Sequence, residues 1–100
     1  MHPIFVSTGQ YCKSSVNDDY KKYTKDEVTT LEQCQKLCFE DTECNYVGYY
    51  GNTDGYMEKY GTETSCILDV NCDELITSSI SSMNTYEIKR KCKIYHYYFS

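Results

Sequence analysis

From Thr29 to Glu40 apolar and polar positions follow a helical period. Leu31, Cys34, Leu37 and Cys38 recur at three- and four-residue spacing, and Thr29 with Glu32 has the form of a capping box. The pattern predicts a helix with Cys34 and Cys38 facing inward. Beyond it the period changes. CNYVGYY, Cys44 to Tyr50, is rich in the aromatic and β-branched residues that suit a pleated sheet, and GNTDGYM supplies Gly and Asn for a turn. SCILDV, from Ser65, then predicts the return strand of a hairpin. TYEIKRKCKIYHYYF, from Thr85, predicts another long strand, bulged or broken near Cys92. Its end places Tyr95, Tyr97 and Phe99 on one side and Ile94, His96 and Tyr98 on the other, so it needs cover on both faces. That makes it either an inner strand or an edge that pairs with another molecule. Asp73 to Met83 reads as a short helix or a loop. With no repeat or linker, the reading is a single domain over residues 1–100, core about 11–93, with short tails at both ends.

Composition sharpens the fold class. Leu, Ile, Val and Phe number 18 in 100 residues, below the roughly 20% under which a chain tends to disorder unless something else holds it. Twelve tyrosines and seven cysteines fill that role. Alanine is absent, which argues against a helical bundle. The expectation is α+β: a small disulfide-stapled antiparallel sheet with one helix packed on it. The closely spaced cysteines lack the C-x-x-C spacing of zinc ribbons or thioredoxin-like sites, so they read as staples formed in an oxidising, secreted or extracellular setting. Fifteen acidic against ten basic residues give a net charge of −5, which disfavours nucleic acid or an anionic membrane as partner. No apolar run is long enough for membrane insertion, and MHPIFVSTGQ lacks the layout of a signal peptide, so the chain reads as mature or excised. KRKCK, Lys89 to Lys93, is a local exception: it can touch a sulfated glycan or end a strand in solvent.

The cysteine order resembles the PAN/apple domain family. An early cysteine in YC (Cys12) is followed by LEQCQKLC with Cys34 and Cys38, and CNYVGYY opens at Cys44; SCILD at Cys66 and RKC at Cys92 complete the pattern over about residues 11 to 93. The resemblance implies bridges Cys12–Cys92, Cys34–Cys66 and Cys38–Cys44; sequence alone leaves fifteen pairings of six cysteines open. Cys72, in DVNCDE, has no place in the six-cysteine scheme. It is expected to be unpaired or intermolecular, or to exchange roles with Cys66, and its acidic neighbours disfavour a reactive thiolate.

The chain is not expected to be an enzyme, nor to carry a cofactor or metal. His2 and His96 lie at opposite ends, outside any nucleophile or zinc motif. Asp69, Asn71 and Asp73 begin like a calcium loop, but Glu74 stands where glycine is needed and Ile80 where the closing acid is needed. The tyrosines say more, because tyrosine offers contact area and a polar tip at little entropic cost. Tyr49, Tyr50, Tyr56 and Lys59, around the hairpin and the sheet face opposed to the helix, are the candidate contacts, although some tyrosines must be core. PAN/apple modules are implied to be extracellular and non-catalytic, so the expected function is recognition or adhesion through a protein or carbohydrate ligand. The alternative is a self-assembling structural subunit joined through Cys72 or the aromatic C-terminal strand. A disulfide-rich secreted effector also fits the size.

Overall fold

The computed structural model describes residues 2–13, 21–51, 55–60, 63–80 and 82–89. The strands are β1 (His2–Thr8), β2 (Gln10–Cys12), β3 (Lys21–Thr24), β4 (Tyr46–Tyr49), β5 (Thr64–Asp69), β6 (Leu75–Thr77) and β7 (Asn84–Lys89). The helices are α1 (Leu31–Glu40) and α2 (Tyr56–Tyr60). Five strands form an antiparallel sheet in the order β1-β7-β4-β5-β3, and β2 pairs with β6 in a separate two-stranded sheet.

Helix α1 lies on one face of the large sheet because its inward stripe meets the alternating apolar positions of the strands. Cys34 and Cys38 pack with Val28, Cys44, Val47, Cys66, Leu68 and Ile88. The helix starts one residue later than the sequence suggests. Thr30, not Thr29, is the N-cap: its hydroxyl accepts from the Gln33 N–H at 3.2 Å, and Gln33 Oε1 accepts from the N–H groups of Thr30 (3.1 Å) and Thr29 (2.7 Å). Glu32 therefore occupies the second helical position, where its charge suits the helix dipole but cannot close the box.

The opposite face is also covered. Tyr50, Ile67 and Met83 pack there with Met57 of α2, while Tyr11 of β2 and Ile80 lie against them. The small sheet reaches this face because Gly9, with φ 74°, turns the chain sharply from β1 into β2. Gly9 is tied on both sides: its N–H donates to the Met83 carbonyl and its carbonyl accepts from Ser78 N–H at 2.8 Å.

Two disulfides join Cys34 to Cys66 and Cys38 to Cys44, bolting α1 to β5 and its exit to the start of β4. The third corrects the sequence expectation: Cys12 pairs with Cys72, not with Cys92. The cause is the β2–β6 ladder. Cys12 lies opposite Leu75, the Lys13 N–H donates to the Glu74 carbonyl at 2.7 Å, and the chain before β6 comes within bridging distance, 4.8 Å between the Cα atoms of Cys12 and Cys72. Cys72 is thus neither free nor intermolecular. Cys92 lies outside the described residues, as does the expected aromatic strand from Ile94 onwards.

Two further expectations change. The N-terminal stretch read as a tail is the edge strand β1, and the ambiguous stretch from Asp73 contains β6. The predicted hairpin is present as β4 and β5, with α2 in its connection.

Candidate functional site

Helix α1 lies over β4, β5 and the Ile88 end of β7, leaving β1 and the start of β7 beside it. Sheet register decides what stands there. Thr8, Asn84 and Tyr49 oppose one another in a row across β1, β7 and β4, and Phe5, Tyr86 and Val47 form the next row. Partners in a row share a face, so these side chains turn towards α1. Val47 is covered by the helix, and the rest frame a groove of about 420 Å³ lined by Thr8, Leu31, Tyr49, Gly51, Ser82, Asn84 and Tyr86.

Both tyrosines are held in place. The Tyr49 hydroxyl donates to the Thr29 carbonyl at 3.1 Å, just ahead of the helix. Tyr86 is braced edge-on by Phe5, ring centroids 5.7 Å apart and planes inclined by 74°. Phe5 itself is 56% exposed at the outer margin. Rings fixed before a ligand arrives lose little freedom on binding.

The groove's electrostatics are plain. None of its lining residues carries a formal charge. Burial pushes the Tyr49 phenol above its ordinary pKa, and the Glu32 carboxylate adds to the shift, so the hydroxyl stays a donor throughout the neutral range. Asn84 Oδ1 lies out of the groove's reach, buried and with no hydrogen-bond partner among the described residues. Two hollows along the other flank of α1 differ in being charged. One, of about 380 Å³, includes Lys21, Glu40 and Asp41; the other, of about 240 Å³, includes Glu27, Lys36 and Glu40. Lys21 is paired with Asp41 at 3.0 Å, a contact that raises its pKa.

The four candidate contacts from the sequence do not come together. Tyr49 lines the groove, but Tyr50 points to the other face and is fully buried in the second core. Lys59 is exposed on α2, whose Met57 belongs to that second core, and the Tyr56 side chain lies outside the described set. The sheet face opposed to the helix is accordingly not an open binding surface. What the sequence reading missed is Tyr86, Asn84, Thr8 and Leu31 as one site. Alternation along TYEIK puts Tyr86 and Ile88 on one face, but nothing local to that stretch tells which strands flank it. Among the described residues no three His, Cys, Asp or Glu side chains gather as metal ligands, and no described helix is long and apolar enough to cross a membrane.

No protein family, curated protein or solved structure matches the chain.

Proposed function

We propose that the chain is an extracellular, non-catalytic recognition module of PAN/apple type that binds a protein or carbohydrate ligand. The observation that carries this reading is the groove: concave, uncharged along its lining, and floored by two tyrosines pinned before any ligand is present. Three disulfides fit an oxidising, extracellular setting. The family reading is supported by an antiparallel sheet bearing one helix bolted through Cys34–Cys66 and Cys38–Cys44, two of the pairs the cysteine order implies.

The Cys12–Cys72 bridge speaks against assembly through Cys72, while the aromatic C-terminal strand, the other assembly route, lies outside the described residues. Among the described residues no strand flanks the outer edge of β1, and pairing there is hindered by the strand itself. Ile88 N–H donates to Asn45, so Ile88 and Tyr86 face β4; by alternation Glu87 and Lys89 hold Ile4 and His2, leaving the backbone of Pro3 and Phe5 at the free edge. Pro3 has no N–H to offer there, and the bulge between Phe5 and Ser7 breaks the ladder, two devices that blunt an edge.

The test is binding of the labelled, oxidised chain to arrayed glycans and arrayed cell-surface proteins. Saturable binding to at least one class is expected, lost when the disulfides are reduced. Binding to neither would remove the recognition reading.

A further inference from the structure

Within the recognition reading, on which it rests, the groove's chemistry narrows the partner to one kind of anchor. We infer that the groove between the start of α1 and strands β1, β7 and β4 seats an arginine side chain presented by a protein partner.

Three observations converge on this. First, three partly exposed aromatic side chains gather on this face. Tyr86 stands opposite Phe5 and packs edge-on with it, and Tyr49 is the diagonal neighbour of Tyr86 across β4, near enough for long side chains to meet. Aromatic faces attract cations, and the planar, weakly hydrated guanidinium stacks on them where a compact ammonium holds its water. Second, the charge runs one way. No side chain lining the groove is charged, but Glu32 follows Leu31 of the lining, and its carboxylate is felt by the Tyr49 phenol. Among the described residues Glu32 makes no ion pair, and the chain carries a net charge of −5, so the mouth of the groove repels an anion and draws in a cation. The positive end of the α1 dipole opposes this, but it amounts to about half a charge and is already capped by Thr30 and Gln33. Third, the polar groups of the lining can accept. The hydroxyls of Thr8, Tyr49 and Tyr86 keep lone pairs, and arginine brings five N–H donors and no acceptor. A lysine ammonium entering the same space would lose its water with no carboxylate in the lining to replace it. The volume, about 420 Å³, accommodates one long side chain with its apolar stem along Leu31.

The experiment uses the intact oxidised chain, ¹⁵N-labelled, titrated with the capped peptide acetyl-Gly-Ser-Gly-Arg-Gly-Ser-Gly-amide, up to about 10 mM. The same peptide with Lys, Glu or citrulline in place of Arg serves as the control, citrulline having arginine's shape without its charge. The expected result is a saturable shift of the Thr8, Tyr49 and Tyr86 amides with the Arg peptide, with a Kd on the order of 1 mM for this single anchor. The Lys and citrulline peptides should bind at least about fivefold more weakly, and the Glu peptide not at all. Glu32→Gln should weaken the Arg peptide roughly threefold, and Tyr86→Leu roughly fivefold. Thr8→Lys serves as a further variant where Tyr86→Leu fails to fold: Thr8 is exposed, and a cation of the chain's own beside the rings should abolish binding with the spectrum otherwise intact.

Equal affinity for the Arg, Lys and citrulline peptides, shifts that map to the charged hollows beside Leu37 and Glu40, or binding indifferent to both Glu32→Gln and Thr8→Lys would each overturn the arginine assignment while leaving the recognition reading in place. Guanidinium chloride binding as tightly as the peptide would overturn the protein source, since the stem would then contribute nothing. No shift with the Arg peptide would overturn the assignment as well. The array experiment then separates the two failures, since binding to arrayed glycans or proteins sustains recognition without an arginine site.

Discussion

Adjacent tyrosines carry opposite burdens. Tyr50 is fully buried among Met57, Ile67 and Met83, so Tyr50→Ala removes a large packed side chain and should cost about 3–5 kcal/mol in denaturant unfolding. Tyr49→Phe keeps the ring and loses one partly exposed hydrogen bond to Thr29; about 1 kcal/mol or less is expected. Equal losses would mean that the strand is not oriented as described. Tyr49 also sets an alkaline limit. Its folded pKa is raised by burial and Glu32, so the folded state holds the phenolic proton more tightly than the unfolded chain does. That contribution is complete below the ordinary tyrosine range near 10 and is lost as pH climbs through the raised value. Tyr49→Phe should therefore flatten the alkaline arm of the stability–pH curve, while an unchanged arm would assign it to other groups. The sequence shows that one of the two tyrosines must face inward, because strand side chains alternate. It does not show which, since α1 and the small sheet cover both faces and each offers an apolar bed.

At the scale of elements, legibility follows how local the cause is. Helix α1 has a period, a cap and a break within its own residues, and β4 and β5 lie on either side of turn residues; all three are readable. Strand β1 is not, because HPIFVST has an apolar run, Ile4 to Val6, that stays largely exposed and is held in place by β7, remote in sequence. KKYT of β3 has too little alternation to announce a strand, and its pairing with β5 supplies the reason it forms. Even the helix cap slipped by one residue, since Thr29 and Thr30 both precede a plausible partner. The cap makes a clean test. Thr30→Ala and Gln33→Ala each remove one half of a reciprocal pair, so each should cost about 1 kcal/mol. The double variant should cost clearly less than their sum because the two groups act as a unit. Strict additivity would show that the box is not formed. A buried counterpart is Ser65, whose hydroxyl lies 3.1 and 2.8 Å from the carbonyl oxygens of Thr24 and Val28. Ser65→Ala should loosen the turn ahead of α1, costing about 1–3 kcal/mol.

Over the whole molecule the bridges are nested: Cys12–Cys72 encloses Cys34–Cys66, which encloses Cys38–Cys44. The outer bridge spans 60 residues, but with Cys34–Cys66 closed the shortest path between its ends is about 30 residues. Because closure entropy grows only with the logarithm of length, the shortcut lowers the expected contribution merely from about 4.3 to about 3.6 kcal/mol. Joint replacement of Cys12 and Cys72 by Ser should therefore cost roughly 3–4 kcal/mol. The loss should also be localised. This bridge ties the β2–β6 sheet, with Tyr11 against the second core, whereas α1, β4 and β5 keep their own two bridges. Hydrogen exchange should accelerate in residues 10–13 and 74–77 and change little in 46–49 and 64–69. Digestion of the unreduced protein should yield the Cys12 and Cys72 peptides joined. Recovery of Cys12 joined to Cys92, or uniform acceleration of exchange across both sheets, would show that the outer bridge closes the whole domain rather than the small sheet alone.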